Sequence, residues 1–546
     1  PAGLMAALTA ARSGARVLIA DDGSEPGGSL LNQKVTIEGR PAKDWVSAVV
    51  AELDAYENVV RLQEATVWGY REHNLLMVIE RSPFERGILQ RSWRVRAGQT
   101  IIATGAIERP LVFANNDRPG VMLASAVQVY VNRYAVKPGQ RVVVFTNNSG
   151  AYQAAADMAA AGIDVAAIID ARAQVPRDAK ELVPGIPMFE GHIVSRTHGH
   201  KRVTGVTISG LKSGSNRRIA CDLLAMSGGW NPTVHLYSQS RGKLRFQDDI
   251  ATFVPDMPAQ SAACAGSACG AFTLKDALDN GVDKGRRAAE AQGFTVKQPE
   301  IPIVLDEPAY TIEAFWHVEQ SKAYSKSFID IQNDVTLSDV HLAIREGFGA
   351  VEHVKRYTTG GMGIDQGKTS NVNIIGAIAT KYGVPLDQVG TTTFRSPFVP
   401  VEFGSIGGLR EGTVVLPYRH TPMTQWNKDA GAFMYEAGAR WRRPGYYPKP
   451  GESFQQTVNR ESLAVRNNVA VYDGSPLGKF ELKGRDADKF LDVLYTNTFS
   501  TLKPGMGRYG IMLNDDGLIF DDGVSFKLGE NHYLMSTSTG NADAVN

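Results

Sequence analysis

The run that most constrains this chain is a helix, a strand and an acid at its front end. Pro1-Ala2-Gly3-Leu4 opens a helix on which Leu4, Ala7, Leu8 and Ala11 share a face, with Gly14 placed to end it. Val17-Leu18-Ile19-Ala20 then reads as a buried parallel strand ending in Asp21. A close-packing Gly3, a helix, a strand and a terminal acid form the second half of a dinucleotide-binding βαβ unit, with the acid set to accept from ribose hydroxyls. Gly27-Gly28 adds a turn without side chains, where backbone amides can approach a phosphate. Residues 1–28 alone leave an ordinary helix–turn–strand contact equally open.

Later segments favour the nucleotide reading. Thr100 to Gly105 is a buried strand ending in a small-residue turn, which puts Thr104 and Gly105 among the candidate cofactor contacts. Ala265-Gly266-Ser267-Ala268-Cys269-Gly270, with a helix through Ala277 and Gly281, resembles the closing cofactor turn of flavoproteins with two dinucleotide domains. A second βαβ unit, within about 138–235, runs from Arg141–Phe145 through a helix to about Ala161 and the strand Val165–Ile169. Its turn carries Asn147 and Ser149 where glycines are expected, which predicts a fold kept with weak or no nucleotide binding of its own. Flavin-binding relatives usually place an Asp in the closing turn where this chain has Ser267, which favours NAD over FAD, and Asp21 disfavours NADP.

Composition removes several classes. Lys plus Arg is 58 and Asp plus Glu is 57, a net charge of +1 that gives no footprint for nucleic acid. Cys221, Cys264 and Cys269 lack the spacing of a zinc or iron–sulfur site, so no metal is expected, and a reducing cytoplasmic compartment is the simpler expectation. No apolar run approaches the roughly 20 residues that cross a bilayer. A length of 546 residues calls for two to four domains. The expected division is 1–300 for nucleotide binding, 301–414 as a connecting segment and 415–546 as a separate domain. The chain starts at Pro1, part-way through a motif, and is expected to be the middle of a larger polypeptide.

In the connecting segment, Thr336 caps a helix with Asp339 at its third position, and Leu337, Val340, Ile344, Phe348 and Val351 form its core face. His341 and His353 fall to the sides. Gly360-Gly361-Met362-Gly363 permits close backbone approach, and Lys368-Thr369-Ser370 leads into a helix at Asn371. Backbone amides there, with Lys368 and Thr369, could hold a phosphate; a polar helix cap with an exposed lysine is the bland alternative.

Four strings, in order, resemble the alpha subunit of heterotetrameric sarcosine oxidase: Ala103 to Pro110, Asn115 to Gly120, Phe328 to Val335, and Arg356 to Asn373. The likeness covers essentially the whole chain. It implies a subunit that holds NAD without obvious redox use and contributes to an FMN site shared with a beta subunit. FAD and the amine-oxidising site would lie on that beta subunit, and gamma and delta subunits would complete the assembly.

From about residue 415 a strand–helix–strand order suggests an α+β domain. Glu461, Arg466, Tyr472 to Ser475, Leu477-Gly478, Tyr509 and Asp521-Asp522 resemble the folate-binding aminomethyltransferase fold of the glycine-cleavage T-protein. That resemblance implies tetrahydrofolate contacts from Leu477, Tyr509, Asp521 and Asp522, with Asp522 as the catalytic acid/base. An apolar cleft would raise its pKa toward neutrality. Acidic turns at Asp515-Asp516-Gly517 and Asp521-Asp522-Gly523 are the plain alternative.

The expected activity is conversion of sarcosine to glycine, with hydrogen peroxide and 5,10-methylenetetrahydrofolate as products. A dimethylglycine-oxidising relative, an opine- or proline-type dehydrogenase large subunit, a non-catalytic folate- and nucleotide-binding scaffold, and a standalone flavin reductase are the alternatives.

Overall fold

A computed structural model describes residues 1–81, 87–304, 307–319, 325–363, 365–407 and 417–546. The chain forms two compact units, Pro1–Ile406 and Gly407–Asn546. The expected boundary at 414/415 lies outside the described residues.

The first unit is a mixed α/β body with two parallel-sheet regions. The helix Ala2–Arg12 is buried along nearly its whole length, not on one face alone. It lies against the helix Leu274–Ala291, and the crossing works because Gly281 and Gly285 have no side chains. A Cβ on either would fall 2.4 or 2.5 Å from the carbonyl oxygens of Ala2 and Ala6. Two parallel strand pairs flank the helix: Val17–Ala20 with Val59–Leu62, and Thr100–Ile102 with Ala262–Cys264.

The strand Val17–Ala20 corrects the sequence expectation of full burial. Leu18 is 37% exposed, because among the described residues the strand pairs on one edge only.

The strand–helix–strand read at 141–169 is present as Arg141–Thr146, Gly150–Ala160 and Asp164–Asp170, in a sheet that also takes in Val121–Leu123, outside the expected 138–235. This five-stranded parallel sheet runs Val121–Leu123, Leu223–Ser227, Arg141–Thr146, Asp164–Asp170, Met188–Glu190. Val142 and Val144 enter one core with the helix Gly150–Ala160, while Val143 and Phe145 enter the core on the opposite face. Burial on both faces is why this strand is apolar without alternation.

The connecting segment carries the expected capping box, Thr336 and Asp339 each bonding the other's backbone N–H. The helix does not run through to Val351. It stops at Arg345 and a second helix, Val351–Thr358, follows, with Gly347 between them at φ +96°. Leu337, Val340, Ile344 and Val351 still share one core with Ile374, Ile375 and Ile378 of the helix Asn371–Tyr382. His341 is half-buried and His353 exposed.

In the second unit a four-stranded antiparallel sheet runs Gly478–Lys483, His532–Thr537, Ile519–Gly529, Gly507–Leu513. The helix Ala487–Leu494 packs Leu491 against Met512, Tyr533 and Met535 of that sheet. A three-stranded sheet of Arg419–His420, Trp441–Tyr446 and Phe433–Ala437 precedes it, followed by the helix Phe454–Asn467 with its own Ser453/Gln456 capping box.

Asp521-Asp522 is not a turn. Both residues lie inside the strand Ile519–Gly529, whereas Asp515-Asp516-Gly517 does form the turn before it, with Gly517 at φ +78°.

Candidate functional site

The first nucleotide cradle gathers around the N-terminus of Ala2–Arg12. A Cβ on Gly3 would sit 3.1 Å from the Cβ of Ala103, at the end of the strand Thr100–Ile102, so Gly3 is the close-packing glycine the sequence implied. Gly266, at φ +65°, leaves only 2.7 Å between its hypothetical Cβ and that of Ala2. Any side chain there would push the closing turn off the helix end. Gly28 lies against Pro1, 4.0 Å from its Cδ, and Gly27 packs on Leu31 and Val46. Asp21, half-buried at the end of its strand, accepts from the Gly23 amide at 2.8 Å.

Three proposed contacts are engaged elsewhere. The Thr104 hydroxyl donates to the Thr233 carbonyl at 2.7 Å, and Gly105 accepts from the Thr233 amide at 2.9 Å. The Ser267 hydroxyl turns back to the Ala271 carbonyl at 3.3 Å.

The Lys368 turn is largely closed on itself. The amides of Ser370 and Asn371 both donate to the Gly367 carbonyl, and the Gly367 amide donates to Asp365. Lys368 is half-buried, with Nζ 5.3 Å from the Phe398 ring centre. Burial lowers its pKa, partly opposed by the charges of Asp365 and Asp22. Thr369 beside it is half-buried.

Sequence reasoning missed His235, which is 3% exposed and lies between the rings of Phe394 and Phe398, at 3.9 and 4.9 Å. Burial first, and Lys368 second, push its pKa down to about 3, so it stays neutral.

The second nucleotide turn is filled. The Ser149 amide donates to the Thr311 carbonyl, the Glu313 amide to the Asn147 carbonyl, and the Gly150 amide to the Asn148 side chain. Asp170, the acid ending the strand Asp164–Asp170, is fully buried and bonded to Arg172 and to the Tyr152 hydroxyl. Asn147 and Ser149 alone did not signal a segment lying across them.

In the second unit the two adjacent acids part company, as residues i and i+1 of a strand must. Asp521 is buried and accepts from the Ser538 amide and hydroxyl, at 3.1 and 2.5 Å, which ties it to structure. Asp522 is exposed and accepts from the Tyr509 hydroxyl at 2.8 Å. The expected apolar cleft around Asp522 is absent among the described residues. What surrounds it is an open face that also carries Tyr509 and Phe526, 52% and 44% exposed. Leu477 is half-buried just before the strand Gly478–Lys483. No group of three or more metal-ligating side chains occurs among the described residues, and no helix there is long and apolar enough to cross a membrane.

Residues 324–409 match the sarcosine oxidase A3 domain, and residues 423–546 the GCVT N-terminal domain. The sarcosine oxidase subunit alpha of Corynebacterium sp. (strain P-1) is 42% identical over 566 residues, covering 100% of this chain and 58% of that relative. That of Rhizobium meliloti (strain 1021) is 40% identical, covering 100% of this chain and 55% of the relative. The aminomethyltransferase of Thermotoga maritima is 34% identical over 125 residues, 23% of this chain and 32% of its own. Among solved structures, L-proline dehydrogenase from P. horikoshii shares the fold with a TM-score of 0.57 at 22% identity, covering 74% of this chain and 77% of that one. The chain spans a little over half the length of the sarcosine oxidase relatives it matches. Aligned with them from end to end, it is similar along its whole length to sarcosine oxidase alpha subunits and carries an aminomethyltransferase-like region at its C-terminal end.

Proposed function

We propose that this chain is the binding and one-carbon-capture subunit of an enzyme that oxidises an N-methyl amine, sarcosine by the family resemblance, while a partner subunit with FAD removes the electrons. The observation that carries this reading is the pairing, on one chain, of an open dinucleotide cradle and an exposed carboxylate on an aromatic sheet face.

NAD fits the first cradle. Gly3 and Gly266 bring the helix end, the strand end and the closing turn within side-chain-free distance, and Asp21 supplies the acid for the ribose hydroxyls. Ser267 puts a neutral hydroxyl, its proton committed to the Ala271 carbonyl, where a carboxylate would receive a ribityl chain. Lys368 and Thr369 are this chain's contribution toward an FMN shared with the beta subunit; an anionic group there would offset the burial that disfavours the Lys368 ammonium. Gamma and delta subunits complete the proposed assembly.

Tetrahydrofolate would lie on the face that carries Asp522, Tyr509 and Phe526, with Leu477 as an apolar wall. The folate supplies the nitrogen nucleophiles that take up the one-carbon unit leaving the amine. Asp522 holds and moves the proton at a ring nitrogen, and Tyr509 fixes the carboxylate by donating to it. Asp521 acts only by anchoring the strand.

The test is Asp522→Asn in the full assembly. Hydrogen peroxide production should persist while the yield of methylenetetrahydrofolate falls by about 10²-fold. Loss of peroxide production with the fold intact would contradict the division of labour.

A further inference from the structure

We infer that the second dinucleotide groove is permanently occupied by the chain's own segment Glu307–Glu313, which takes the places of a ligand's phosphates. This deepens the reading above, in which one dinucleotide binds in the first unit only.

A dinucleotide in such a fold lies across the first strand–helix turn, with its pyrophosphate on the backbone amides and its ribose on the acid ending the second strand. In this unit the turn is Asn147–Gly150 and the acid is Asp170. Ile312 forms a single antiparallel bridge with Asn148, so the segment crosses the turn. The Thr311 carbonyl accepts from the Ser149 amide at 2.9 Å, where a phosphate oxygen would. Arg172 also binds that carbonyl and the Thr311 hydroxyl, at 3.2 and 2.9 Å, while its other nitrogens hold Asp170. Asn147 closes the far side by donating to the Glu313 carbonyl at 2.8 Å.

The same segment fills a second anion position. Glu307 accepts from the Leu274 and Lys275 amides, at 2.6 and 3.2 Å, at the N-terminus of the helix Leu274–Ala291. Tyr310 then packs at a tilt, 4.9 Å from Phe272, next to the closing turn, and Ile312 seats against Gly229, where a Cβ would meet its Cδ1 at 2.6 Å. The strap thus takes the Ser149 amide of the turn directly and reaches the ribose acid only through Arg172, which binds Thr311 and Asp170 together. The strap, and not only the bulk of Asn147 and Ser149, therefore excludes a second nucleotide.

Hydrogen exchange on the full chain tests this. Amides 146–151 should exchange roughly a hundredfold more slowly than an open loop, and millimolar NADPH should leave that protection unchanged. The double variant Asn147→Gly, Ser149→Gly should behave the same way, because the strap remains. Fast exchange in the wild type, or protection gained on adding NADPH to the folded glycine variant, would overturn the inference. Denaturing release separates it from the first-cradle reading. Two equivalents of dinucleotide per chain would overturn the strap, whereas none would overturn the first cradle and agree with the strap.

Discussion

The two βαβ units of this chain contrast most sharply at the turn where a helix begins. In the first, Gly3, Gly28 and Gly266 converge on the end of Ala2–Arg12 and keep the approach clear of side chains. In the second, the corresponding amides are bonded to Thr311 and Asn148, and the terminal acid is shut in with Arg172. One architecture thus serves twice, once as a cradle and once as a packed joint. Fold alone does not assign a ligand; what lies over the turn does.

The largest expected effect concerns how dry the sealed side is. Glu108, 3% exposed and bonded to the Ser125 amide, is pushed up to about 7 by burial from an ordinary value of 4.5. Its folded pKa lies above its unfolded one, so the stability linked to the protonated form is complete below about 4.5 and is lost as pH rises through about 7. Relative to Glu108→Gln, the wild type should lose roughly 3 kcal/mol across that window, read as a pH-dependent gap in unfolding midpoint. A gap that does not change with pH would mean that water reaches this carboxylate.

Next comes the open side. Gly266→Val should cost about 1–3 kcal/mol of stability through overpacking and weaken NAD binding by at least about tenfold, measured by calorimetry. Unchanged affinity would move the cradle elsewhere. A smaller effect is expected from Thr336→Ala, which removes a capping-box partner and should lower stability by about 1 kcal/mol without altering dinucleotide content. Smallest is Tyr509→Phe. Removing one hydrogen bond to an exposed Asp522 should lower folate turnover by less than about tenfold and leave peroxide production alone.

Local signals carried well from sequence to structure. The Thr336/Asp339 box, the strand–helix–strand of residues 141–170 and the close-packing Gly3 depend on neighbours or on simple periodicity. The helix expected through Val351 failed because the apolar spacing continues across Gly347, where the backbone turns left-handed while the face is kept. Asp521 and Asp522 had opposite fates that period-two alternation would have given, once Ile519–Gly529 was read as strand instead of turn. The strap was illegible. Its contact with residues 147–149 spans more than 160 positions, and Tyr310-Thr311-Ile312 bears no motif.

The account turns on where a dinucleotide sits, so the decisive measurement is a structure of the full chain solved with NAD present. Density should run from the N-terminus of Ala2–Arg12 past Gly266 to Asp21, with Glu307–Glu313 still lying across Asn147–Gly150. Density over that second turn, with the strap displaced and the first cradle vacant, would contradict it.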